Sequence, residues 1–321
     1  MRNRFSLLPL ASLVLAGCAS SASTTSSTTD AGPGAALDAG SSPSGDAGTS
    51  AATDAGVRAN ERTLDTCTTN IDANAPEFYK RYFKCVTVTT TATGVTISSN
   101  GLPPHRSYYY GSGNANFEDF DTTRGPQYRA NPNRIATKTM AFGVPNTPVS
   151  RNLTVSSSLV DGTVGTSTNE YPMGPAGMAL DGVALFNPLA GPGDNIENEK
   201  YTFDVYNGHP VPDGSYHYHT TSNGPLEVLK KAGLITTTTP GSASIELYGI
   251  MCDGTPVLGC KELDESSPSG SLDAQGGHTH DLKDNAGTTL LAGRYHTHMC
   301  PTSATGRKFT PEIQYYSSCT R

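Results

Sequence analysis

The chain contains no tryptophan, and only 16% of its 321 residues are charged. Lys and Arg number 22 against 29 Asp and Glu, a net charge of -7, and no basic run occurs anywhere. A nucleic-acid groove binder needs clustered Lys and Arg to displace counterions from phosphate, so nucleic acid is not expected as a partner. Also missing are a Gly-x-Ser-x-Gly elbow, a His-Glu-x-x-His pair, a Gly-rich loop ending in Lys-Ser/Thr, and any Cys-x-x-Cys spacing. Serine-hydrolase, zincin, P-loop and zinc-thiolate templates therefore have nothing to rest on. Beyond the first residues, no apolar run approaches the ~20 residues that a transmembrane helix needs.

What is present begins with an export signal. Arg2 and Arg4 precede the apolar stretch Phe5 to Ala16, and Leu15-Ala16-Gly17-Cys18 closes it with small residues. This order resembles a bacterial lipoprotein signal, which implies removal of residues 1–17 and a lipid on Cys18. Residues 18–60 are almost wholly Ser, Thr, Ala, Gly, Pro and Asp, with Asp-Ala-Gly recurring at Asp30, Asp38, Asp46 and Asp54. Such a segment buries too little to offset its conformational entropy and reads as a disordered tether. The expectation is an exported protein anchored by Cys18 in the cell envelope, at an outer membrane or cell surface. Six further cysteines, Cys67, Cys85, Cys252, Cys260, Cys300 and Cys319, suit three disulfides in an oxidising compartment. Of the fifteen possible connectivities, proximity suggests Cys67–Cys85, Cys252–Cys260 and Cys300–Cys319.

Residues 61–321 read as one globular region, mainly β with few short helices and braced by disulfides. The segments 85–98, 151–160, 201–206 and 244–250 are rich in Val, Thr, Ile, Tyr and Phe and are bounded by Gly, Pro, Asn and Asp. Only 76–84 and 225–234 read as helices, each opening on a proline. The polar loops 111–130 and 261–277 are long enough to suggest function or covalent restraint.

The histidines carry the chemistry. Eight occur, at 105, 209, 217, 219, 278, 280, 296 and 298, and six of them form three His-x-His pairs. Random scatter would give roughly 0.2 such pairs. On a strand, residues i and i+2 share a face, so two imidazoles can converge on one ion. The pairs also recur in order: Asp181-Gly182, Gly208-His209 and Gly214-Ser-Tyr216-His217-Tyr218-His219, then Asp253-Gly254, Gly277-His278 and Gly293-Arg-Tyr295-His296-Thr297-His298. Matching order suggests an internal duplication with halves at about 171–224 and 245–300.

These strings, with Ser99-Asn-Gly-Leu-Pro-Pro-His105, Asn131-Pro-Asn133 and the segment 181–188, resemble the bacterial YHYH-domain family. In the second block Gly276-Gly277-His278 replaces Asn-Gly-His and Thr297 replaces the second tyrosine. The resemblance supplies no established activity, so the residues must speak for themselves. The candidate metal ligands are His209, His217, His219, His278, His296 and His298, with His280 and His105 as additional candidates. Asp181, Asp253, Tyr216 and Tyr295 are candidate partners that orient the imidazoles. Zinc and copper are the expected ions, since imidazole suits both. Three classes of function stay open. One is metal binding by a lipid-anchored envelope protein, and another a metal-dependent envelope hydrolase or oxidase using the same cluster. The third is a surface recognition or structural module, meeting a small molecule, a carbohydrate or a protein, with histidines that bind no metal.

Overall fold

Short β-branched and aromatic segments pair into two sheets in the computed structural model, which describes residues 56–150, 174–191, 194–301 and 309–310. All of them fall in one unit, Gly56–Arg321. The smaller sheet has the order β1 (Asn70–Ile71), β2 (Thr87–Thr90), β3 (Gly94–Ser99) and β4 (Met140–Pro145). Its β1·β2 pair is parallel and the other two are antiparallel. β4 alternates buried Met140, Phe142 and Val144 with less buried neighbours, as a strand with one face on the core must. Helix α1 (Glu77–Tyr82) lies between β1 and β2 in sequence and buries Phe78, Tyr79 and Tyr82.

The larger sheet holds β5 (Pro175–Ala179), β6 (Ala184–Phe186), β7 (Gly208–Pro210), β8 (Tyr216–Tyr218), β9 (Leu247–Met251), β10 (Pro256–Leu258), β11 (Gly277–Lys283) and β12 (Thr289–His298). Their order across the sheet is β11-β12-β10-β9-β5-β6-β8-β7. Read inward from either end, the pattern is the same. An outer antiparallel pair, β7·β8 or β11·β12, runs its inner strand parallel to a short one, β6 or β10. That strand pairs antiparallel with β5 or β9, and β5 and β9 meet antiparallel at the seam. The central strands are buried on both faces, so they read as continuous apolar runs and not as alternation. Helix α2 (Ile196–Glu199) is a single turn, and α3 (Asn223–Lys231) packs its buried Leu226, Val228 and Leu229 over β9. Ser222 caps α3 by accepting from the Gly224 amide.

Several expectations need correction. Residues 201–206 form no strand: a 3-10 turn at Lys200–Thr202 leads into a loop where Asp204 takes the Tyr206 and Gly208 amides, local bonds that compete with a ladder. The segment 85–98 is two strands, β2 and β3, closed by a turn in which the Thr91 amide donates to the Gly94 carbonyl. Cys67 and Cys85 are bonded as proximity suggested, but Cys260 bonds Cys300. The reason is tertiary: β10 and β12 run parallel with Leu258 opposite His298, so two residues further on Cys260 faces Cys300. This replaces the Cys252–Cys260 and Cys300–Cys319 pairings. Cys252 is disulfide-bonded too. The signal at 1–17, Cys18, residues 18–55 of the tether, the segment 151–160 and Cys319 lie outside the described residues.

Candidate metal centres

The two outer pairs of the large sheet each set histidines side by side. His209 on β7 stands opposite His217 on β8, and His278 on β11 stands opposite His296 on β12. The Gly-His and Gly-x-Tyr-His strings exist for one shared contact behind these histidines. Tyr216 donates its hydroxyl to Asp204 at 2.8 Å, and Tyr295 donates to Asp273 at 2.8 Å. Each aspartate also accepts from the glycine amide preceding the histidine, Gly208 at 3.2 Å and Gly277 at 3.0 Å. The tyrosine hydroxyl crosses directly over that glycine, where a Cβ would lie 2.4 Å from Tyr216 or 2.2 Å from Tyr295. Tyr216 and Tyr295 thus hold the turn that carries a histidine through Asp204 and Asp273.

In the first centre, His209, His217 and His219 are all buried. Each Nδ1–H is spent on an acceptor: the Thr202 hydroxyl at 2.7 Å, the Ser215 carbonyl at 3.2 Å and the Asn187 carbonyl at 2.7 Å. The Thr202 hydroxyl gives its own proton to the Glu199 carbonyl, so it can only accept from His209. Every Nε2 is therefore a bare lone pair. Yet His209 Nε2 lies 3.1 Å from His217 Nε2, which lies 2.9 Å from His219 Nε2. Lone pairs at that distance repel unless a cation joins them, and donors around one ion at ~2.0–2.1 Å are roughly 2.9–3.4 Å apart. A proton is a poor candidate for that cation. Burial holds His209 and His217 well below the usual histidine value of 6.5, with His219's charge adding to it for both and His209's for His217, and burial lowers His219 to about 4. The group can hold a metal ion. Glu199, at the end of α2, places Oε1 3.4 Å from His209 Nε2, and burial raises its carboxyl to about 7. Phe186 stacks on His217 with centroids 3.7 Å apart, and Phe203 lies parallel to His219.

The second centre is larger. Four Nδ1–H groups donate to backbone carbonyls: His278 to Ser269, His280 to Asp281, His296 to Arg294 and His298 to Gly259, all at 2.8–2.9 Å. Their Nε2 atoms surround the Glu262 carboxylate. Oε1 is 3.0 Å from His278, 3.3 Å from His280 and 3.2 Å from His298, while Oε2 is 3.2 Å from His296. Glu262 Oε2 and His296 Nε2 are buried without a hydrogen-bond partner. Burial opposes the Glu262 charge, but the imidazoles of His296 and His298 prevail and hold its carboxyl well below the usual range. Burial, then the His296 charge, lowers His278. Of these, Glu262, His278, His280 and His296 can also hold an ion. This centre opens on a cleft of about 620 Å³ lined by Glu262, His278 and His280 together with Asp264 and Asp281.

The remaining candidates stand elsewhere. His105 is apart from both groups, its Nδ1–H on the Arg106 carbonyl, its Nε2 3.1 Å from the Tyr218 hydroxyl and its ring stacked on Tyr206. Burial lowers it to about 3, and it is a core histidine outside both donor groups. Asp181 accepts from Tyr218 at 2.9 Å and from the Val183 amide, and Asp253 accepts from the Thr255 amide. Both aspartates lie outside the two donor groups. Glu199 and Glu262 are not among the residues singled out from the sequence. The usable signal was a glutamate upstream of each Gly-His string.

Fold and site together define a mainly β, disulfide-braced protein with two histidine-rich centres that can hold metal. Residues 155–310 match the family model described as YHYH protein. Neither the curated proteins nor the solved structures yielded a match.

Proposed function

We propose that this is an exported, lipid-anchored envelope protein whose function is to bind two transition-metal ions, zinc or copper, one in each histidine centre. One observation carries the reading: all seven clustered imidazoles give their Nδ1–H to a fixed acceptor, so that three Nε2 atoms face one another in the first centre and four face the Glu262 carboxylate in the second. Orienting the far nitrogen in this way is how proteins prepare imidazole for a metal. The palindromic strand order and the repeated Asp–Tyr–Gly contacts support a duplication of one metal-binding half. The cleft at the second centre favours a second reading, a metal-dependent envelope enzyme. Zinc and copper both suit imidazole with carboxylate, and an envelope location would expose the protein to either.

The test is elemental analysis of the purified full chain. It should contain two equivalents of zinc or copper, falling to one in His217→Ala/His219→Ala. Metal needs neutral imidazoles, and burial has already lowered those of the first centre, so protons compete only weakly near pH 6.5. Its ion should stay bound there and be lost as pH falls toward about 4, the region where His219 titrates. A chain that binds no ion under any loading condition would leave the surface-module reading.

A further inference from the structure

We infer that the second centre alone takes an exogenous ligand, a small monoanion with an oxygen or nitrogen donor atom that enters through the cleft and coordinates the ion. The inference rests on the metal reading above and deepens it. The two centres differ in what closes them. At the first, all three imidazoles are buried and the rings of Phe186 and Phe203 lie against His217 and His219. At the second, His296 and His298 are fully enclosed, but the His278 side chain is 10% exposed and that of His280 is 37% exposed. Among the described residues, only neighbouring histidines make ring contacts with these four imidazoles. The exposed side is the one facing the cleft, whose volume far exceeds that of a water molecule.

Charge decides what the cleft admits. Three neutral imidazoles and the Glu262 carboxylate would leave a divalent ion with one positive charge, which attracts an anion. Asp264 and Asp281 on the cleft wall, with Lys283 their only basic companion there, repel anything bearing several negative charges. Ser266 and Ser271 supply hydroxyl groups for a polar body. Glu262, His278, His280 and His296 lie close enough to share one ion, so an ion that takes five or six donors keeps a position for the incoming atom.

Azide titrated into the cobalt-loaded full chain tests this, because azide bound to cobalt adds an absorption band. One azide per two cobalt ions is expected. The band should persist in His217→Ala/His219→Ala, vanish in His296→Ala/His298→Ala, and need several-fold more azide in Ser271→Trp, which narrows the cleft without touching a donor. If His296→Ala/His298→Ala does not fold, the other two variants decide. Two bound cobalt ions without an azide band, or a band that follows the first centre, overturns this inference and leaves the metal reading standing. A chain that binds no cobalt overturns both.

Discussion

A histidine becomes a ligand or a core residue according to what its second nitrogen meets. His105 and His217 are both buried, and each gives Nδ1–H to a carbonyl. The difference lies at Nε2, where His105 meets a tyrosine hydroxyl and His217 meets two other bare nitrogens. Tyr218 stands between His105 and Asp181 and gives its single hydroxyl proton to Asp181, whose carboxyl burial raises to about 6. Tyr218→Phe should therefore leave both metal equivalents in place while costing about 1–3 kcal/mol of stability, since a buried carboxyl loses a donor. Chemical denaturation with metal analysis on the same sample checks this. Loss of an equivalent would show that Tyr218 also shapes the metal site.

At the scale of elements, the centres depend on pairing that brings distant residues into register. β11 and β12 contribute four imidazoles, but Glu262 comes from the long loop 261–277 that leads into β11. The Cys260–Cys300 disulfide fastens that loop: Cys260 precedes Glu262 by two residues, and Cys300 follows His298 by two. Removing it as Cys260→Ala/Cys300→Ala should lower stability by about 2–4 kcal/mol. The same change should weaken metal binding at the second centre and leave the first at its original affinity. Competition against a chromophoric chelator reads the two affinities, and equal weakening at both would contradict the role given to this bridge. The loop was legible as unusually long, but its glutamate was not, because no local spacing ties a loop carboxylate to a strand histidine.

For the whole molecule, the proposed anchor and the folded part are separable. Residues 18–60 contain almost nothing that could join a core, and the apolar core within 61–321 is built from both sheets and from α1 and α3. If Cys18 carries lipid, Cys18→Ser should move the protein from the membrane to the soluble fraction with unchanged thermal stability and metal content. Fractionation followed by thermal unfolding tests this, and retention in the membrane would refute the anchor.

Composition and spacing alone determined the β-rich class, the His-x-His pairs and the order of the repeated strings. They suffice because side-chain alternation along a strand and turn-forming residues act over a few positions. Which cysteine bonds Cys260, where Glu199 and Glu262 reach, and why His105 stands apart were decided by tertiary structure. Each depends on parallel pairing or loop closure between residues far apart in sequence, and such contacts leave no period in the chain to read. The contrast between a closed first centre and an open second one has the same origin. Phe186 and Phe203 cover the first because β6 and the turn after α2 fold against it, whereas the cleft exposes His280 on an edge strand.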